Sequence, residues 1–312
     1  MEQGPTVLLR AIGLPRGAGG RGPADLAVLG GSALLMLGDP SSAASRLMAV
    51  MAGGATTAGS RVLVGSRKLP VHTSEAARYV GYVPPDPCCP GHVTPRSHLS
   101  LVAACRGIGG RTAARTISDL LQWCLLGERA DTPWRELDRD HRSALAIASA
   151  LLGNPQVLLA DRPVPPFLLG RLSDLKELGR ALVIRACGVE GIPPAVDRVA
   201  VCDGEGVAAV VRRTDLAGLC RRMSTIRVGF YPSLPRKVME QLPGAAGIRS
   251  HAEGYSFSHP DTSAALVHLS GMARANARTI ASLQVLPPET SFLARNLAPG
   301  PESDRTLFDG ED

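Results

Sequence analysis

The stretch LMLGDPSSAASRLMAVMAGG, Leu35 to Gly54, decides how the rest of the chain is read. An apolar run ends in Gly38-Asp39-Pro40, which marks a buried strand entering a turn. Helix-forming residues follow, until the glycines at 53 and 54 stop them. Gly38 opens the frame Gly-x-x-x-x-Gly-Lys-Ser/Thr, and Ser45 closes it in register. Such a loop holds phosphate by aiming backbone N–H groups from a helix N-terminus, with a lysine bridging the outer phosphates. Here Ala43 stands at the second glycine and Ala44 at the lysine. The frame is present and its cation is not.

The other cations do not repair the loss. The net charge of +6 is carried almost entirely by arginine, and the lysines, Lys68, Lys176 and Lys237, all lie far from Ala44 in sequence. The charge is spread rather than gathered into a basic tract, so no nucleic-acid partner is expected. With 45% hydrophobic residues but only 4% aromatic ones, a core of Ala, Val, Leu and Ile is expected. The seven cysteines show no CxxC and no zinc spacing, and the pair Cys88-Cys89 has no further ligands nearby in sequence, so reduced thiols are expected. The start, MEQGPTVLLR, does not read as a secretory signal, and LAVLGGSALLMLG is too short and glycine-rich to cross a bilayer. Any membrane role is expected to come through a partner.

Outward from the loop, SRVLVGSRKL reads as an exposed strand and turn, and RYVGYV as a strand broken by a proline-rich loop. A helix resumes at about Pro95, and ARTISDLLQWCLLG is an amphipathic helix. LDRDHRSALAIASALLGNP reads as a helix opening on acidic residues, followed at once by the strand QVLLAD. DLKELGRALVIRAC gives helix then strand, and DRVAVCDGEGVAAV a strand hairpin. Strands alternating with crossover helices define an α/β fold with a largely parallel sheet. After Arg222 the pattern changes to short strands and helices, a small α+β extension.

Taken in order, these segments resemble the ATP-binding cassette ATPase of ABC transporters, over roughly Val7 to Val211. GYVPPDP falls where that family has a strand ending in a glutamine. LDRDHRSALAIASALLGNPQVLLADRP matches the frame of the signature Leu-Ser-Gly-Gly-Gln, a helix, Asn-Pro, four apolar residues and Asp-Glu-Pro. LVIRAC ends where a switch histidine is expected, and the tail LPPETSFLARNL is similar to the C-terminal extension of cassettes serving ABC-2-type exporters. The resemblance implies a P-loop NTPase-like cassette with a mainly parallel core sheet. It also implies ATP and Mg²⁺ as cofactors, a membrane-spanning permease as partner, and a homo- or heterodimer with another cassette. Residues 1–222 would be the cassette, 223–298 the extension and 299–312 a frayed tail.

The chemistry departs from that pattern at most positions. Gly38, Ser41, Ala44, Ser45 and Arg46 form the vestigial phosphate loop, with Ser41 and Ala43 in glycine positions and Asp39 repelling a polyphosphate. Ser45 keeps the hydroxyl that would hold Mg²⁺, though a serine in a first helical turn is also an ordinary capping residue. Asp161 matches the carboxylate that supports the metal; its other reading is an ion pair with Arg162 or a loop cap. Arg162 replaces the glutamate base, and a guanidinium stays protonated. Asp138 stands in the signature, where a carboxylate about 4 Å from phosphate costs roughly 4 kcal/mol at an effective dielectric of 20; it suits a helix N-terminus instead. Pro85 replaces the glutamine, and Cys187, expected to be buried, the histidine.

No catalytic residue is assigned, and the expected function is a degenerate cassette that docks to or regulates an ABC-2-type exporter. It would be cytoplasmic and peripheral on the inner face of the membrane, with the loop around Pro84 to Pro90 against the permease. One alternative is an active ATPase in which Arg46 or Arg162 supplies the lysine's charge. The other is a soluble regulatory scaffold without a transporter.

Overall fold

The computed structural model describes residues 6–17, 24–39, 42–55, 58–68, 79–190, 192–222, 224–288 and 290–297. Ser41 and the tail expected at 299–312 lie outside the described residues.

The first layer is an antiparallel sheet, β2-β1-β4-β5, built from β1 (Val7–Leu14), β2 (Ala24–Leu29), β4 (Arg61–Val64) and β5 (Arg67–Lys68). Val62 and Val64 are buried, so β4 is half-buried rather than the exposed strand expected, because β1 pairs with it and carries it over the core. The central sheet has the order β10-β9-β3-β8-β7-β6. It comprises β3 (Ala33–Leu37), β6 (Val80–Val83), β7 (Val157–Ala160), β8 (Ala181–Ala186), β9 (Arg198–Cys202) and β10 (Val207–Arg212). All neighbours in it are parallel except β9 and β10, whose hairpin makes an antiparallel edge.

The continuous apolar runs follow from burial on both faces of this sheet. Ala33, Leu35 and Leu37 enter one core, whereas Leu34 and Met36 enter the other. The first core also takes α2 (Pro95–Cys105), α3 (Gly110–Trp123) and α4 (Arg139–Leu151); the second lies under the antiparallel sheet and holds α1 (Ala44–Met51). A short helix, α5 (Arg171–Glu177), precedes β8. Helix α2 starts sharply because Thr94 and Ser97 form a reciprocal capping box and Pro95 sits at the first position.

Helix α6 (Arg213–Arg222) leads into a β-α-β-β-α-β unit. It comprises β11 (Thr225–Tyr231), α7 (Arg236–Met239), β12 (Ala246–His251), β13 (Gly254–Ser258), α8 (Thr262–Ala275) and β14 (Thr279–Leu286), with strand order β12-β13-β11-β14. Its own core gathers Ile226, Val228, Phe257 and Leu269. The last helix, α9 (Thr290–Leu297), does not stay with this unit: it packs on β9 and β10, and Leu293 and Ala294 join the first core. Among the described residues no helix is long and apolar enough to cross a membrane.

Candidate functional site

Helix α1 follows β3 through Gly38 to Ala43, the strand-loop-helix expected of the phosphate-loop frame. Four backbone donors of this segment have acceptors within the protein. Gly38 N donates to Ala186 O at 3.0 Å, Ser42 N to Asp39 O at 2.9 Å, and Ala43 N to Asp203 O at 2.6 Å. Ala44 N donates to Ser42 Oγ at 3.3 Å. A Cβ at position 38 would run into the Ser42 hydroxyl, so the side chain of Ser42 fills the space that the glycine leaves. Ala44 is fully buried in the second core, where a lysine would have had to snorkel outward. Arg46 is engaged elsewhere, Nη2 donating to Glu205 O at 2.9 Å.

Parallel pairing of β3, β8 and β7 brings Ser45 and Asp161 together across 116 residues, and Ser45 Oγ donates to Asp161 Oδ2 at 2.5 Å. Tyr82 Oη donates to the same oxygen at 3.1 Å. Burial, with the negative charge of Asp161 beside it, pushes the Tyr82 hydroxyl up, so it stays protonated and donates. The other carboxylate oxygen, Oδ1, meets Arg185 Nε at 2.6 Å in an ion pair whose carboxylate is 0% exposed and whose guanidinium side chain is 13% exposed. Arg185 comes from the end of β8, inside an otherwise apolar strand.

The sequence offers Arg162 as an ion-pair partner for Asp161, but Arg185 takes that place. Arg162 instead lines a cavity beside the start of α4. Cys187, expected to be buried, is exposed, because β8 has ended at Ala186 and the chain has turned into a loop.

Among the described residues, those expected to hold a divalent metal and a triphosphate have partners within the protein. The carboxylate that would support the metal already faces an internal cation on one oxygen and two hydroxyls on the other. The amides of Gly38, Ser42, Ala43 and Ala44 are likewise engaged.

Asp138 is the N-cap of α4, its Oδ1 accepting from His141 N at 2.8 Å while Oδ2 meets His141 Nδ1 at 2.8 Å. The His141 backbone N–H, then its ring, hold the Asp138 carboxyl below the usual carboxylate range. Its contribution to stability is therefore complete at neutral pH and is lost only as pH falls through that depressed value. Asp138→Ala is expected to cost about 1 kcal/mol in chemical denaturation at pH 7, the typical value of a lost N-cap. The difference should shrink on acidification, and a deficit that stays constant down to the acid transition would contradict the capping role.

The last helix reaches the loop from the far side. Thr290 Oγ1 donates to Asp39 Oδ1, and Thr290 is 2% exposed. Asp39, Cys187, Leu286 and Pro287 border one cavity of about 500 Å³. Nothing local in the sequence announces this contact, which spans 251 positions.

Comparison with known proteins agrees with this architecture. No protein-family model matches the chain. It is 34% identical over 108 residues to human ATP-binding cassette sub-family A member 10, covering 34% of this chain and 7% of that protein. It is 29% identical over 176 residues to the molybdenum import ATP-binding protein ModC of Mycobacterium tuberculosis, covering 53% of this chain and 47% of that one. The chain thus spans less than half the length of either relative. Among solved structures, cbiO1 from Clostridium perfringens, part of the ABC transporter complex cbiONQ, superposes with a TM-score of 0.59. That match has 17% identity and covers 68% of this chain and 91% of that one. The fold is that of the ATP-binding cassette of ABC transporters, with an α/β P-loop core. The sequence relatives of this particular chain are ATP-binding cassette proteins.

Proposed function

We propose that the chain is the cassette subunit of an ABC-2-type membrane exporter, acting by docking or regulation without hydrolysing ATP. The ion pair of Arg185 with Asp161 carries this reading, because it puts a protein cation against the carboxylate that would support Mg²⁺. The cassette relatives and the similarity to a subunit of cbiONQ support a permease partner and a paired cassette. Against the active-ATPase alternative stand the bond of Arg46 to Glu205 and the place of Arg162 in the lining of a separate cavity.

Docking falls to the loop Pro84 to Pro90, where prolines hold one backbone shape and lower the entropy cost of binding. Cys88 is exposed, while Cys89 is 8% exposed with its Sγ 3.7 Å from His98 Nδ1. A charge at position 89 would therefore disturb the loop itself, and the informative substitution is Cys88→Asp. It should change stability by no more than about 0.5 kcal/mol, as surface changes do, yet release the chain from membranes of its native cell. A wild-type chain that never sediments with membranes, or a Cys88→Asp chain that still does, would overturn the docking role.

A further inference from the structure

A cavity of about 420 Å³ lies between the proline-rich loop and the start of α4, and three arginines, Arg139, Arg142 and Arg162, line it with Asp86 and Trp134. Arg162 is 8% exposed, and its Nε has no hydrogen-bond partner among the described residues. Burial works against its charge and Arg139 adds repulsion, with Asp86 and Asp140 opposing. Arg142 is held in place: Nε donates to Trp134 O at 3.2 Å, Nη2 to Arg135 O at 3.1 Å, and the guanidinium stacks over the Trp134 ring at 5.2 Å. Among the described residues none of the three is ion-paired with a carboxylate.

We propose that this cavity is an oxyanion site for a phosphate group carried by a small molecule. A buried guanidinium with an unmet N–H costs free energy until an acceptor reaches it, and a charged acceptor is the strongest available. An apolar or cationic ligand would leave Arg162 as it is. Guanidinium forks match the oxygens of phosphate, and the volume lies in the range of small-molecule sites. Trp134 gives the ligand an aromatic wall. The site does not depend on the nucleotide-site reading, because Arg162 faces this cavity whether or not the phosphate loop is active.

The chain has two tryptophans, Trp123 and Trp134, so Trp123→Phe leaves Trp134 as a single fluorescent reporter inside the cavity. In that background, inorganic phosphate and pyrophosphate should each give a saturable change in emission that sodium chloride at matched ionic strength does not. Exposed Arg139 can be replaced without disturbing the core. Arg139→Gln should weaken the apparent affinity by about tenfold, the equivalent of one lost charge-assisted hydrogen bond. Circular dichroism confirms that each variant is folded. A linear response, a response equal to that of chloride, or unchanged affinity in both Arg139→Gln and Arg162→Gln would overturn the proposal.

Discussion

Incubated with ATP and magnesium, the purified chain is expected to release phosphate no faster than a buffer control. Removing a single transition-state electrostatic contact costs about 10²–10³ in rate, and several are missing together. Ala44 supplies no cation, and Arg162 cannot act as a base. Asp161 faces Arg185, and the amides of Gly38, Ser42, Ala43 and Ala44 donate to the protein itself. Ala44→Lys alone should not restore turnover, because it repairs one of these and also places a charge in the second core. Turnover that disappears in Asp161→Ala would show that the site works by a route these residues do not suggest.

The second large effect is on stability. Arg185→Met should destabilise the chain by about 3–5 kcal/mol, the cost of stranding one member of a buried ion pair. Among the described residues, the Asp161 carboxylate, fully shielded from water, would keep only the hydroxyls of Ser45 and Tyr82. Adding Asp161→Asn should recover much of the loss, since the stranded charge is then gone, and the cycle of single and double variants gives the coupling directly. A loss below about 1 kcal/mol, the scale of exposed pairs, would mean that Arg185 leaves Asp161 in solution.

Much of the architecture was legible because it is written in local patterns. The run Ser32 to Leu37, the Asn154-Pro155 break before QVLLAD, and the helix opening at Asp138 each carry their signal within a few residues. The family order then placed Ser45 beside Asp161, since strands that pair in parallel bring their carboxyl ends to one edge. Strands β1 and β2 carried no such signal: their alternation is short and a glycine-rich loop separates them. The true partner of Asp161 was hidden for another reason. Arg185 sits in LVIRAC as a lone charge in an apolar strand, and such a residue announces that a buried partner exists without naming it. Arg162 is adjacent in sequence, but successive residues after a strand end point in different directions.

The return of α9 changes what the small sheet can do mechanically. The polypeptide enters the small sheet after Arg222 and packs on the central sheet again with α9, so the chain joins the two at two points rather than one. A body joined at two points has fewer ways to turn than a body joined at one. A movement of it would act through Pro287 and Pro288, whose φ is fixed, on Thr290, which donates to Asp39. Whatever grips the extension is therefore joined through Thr290 to the loop that carries Ala44 where the frame has lysine.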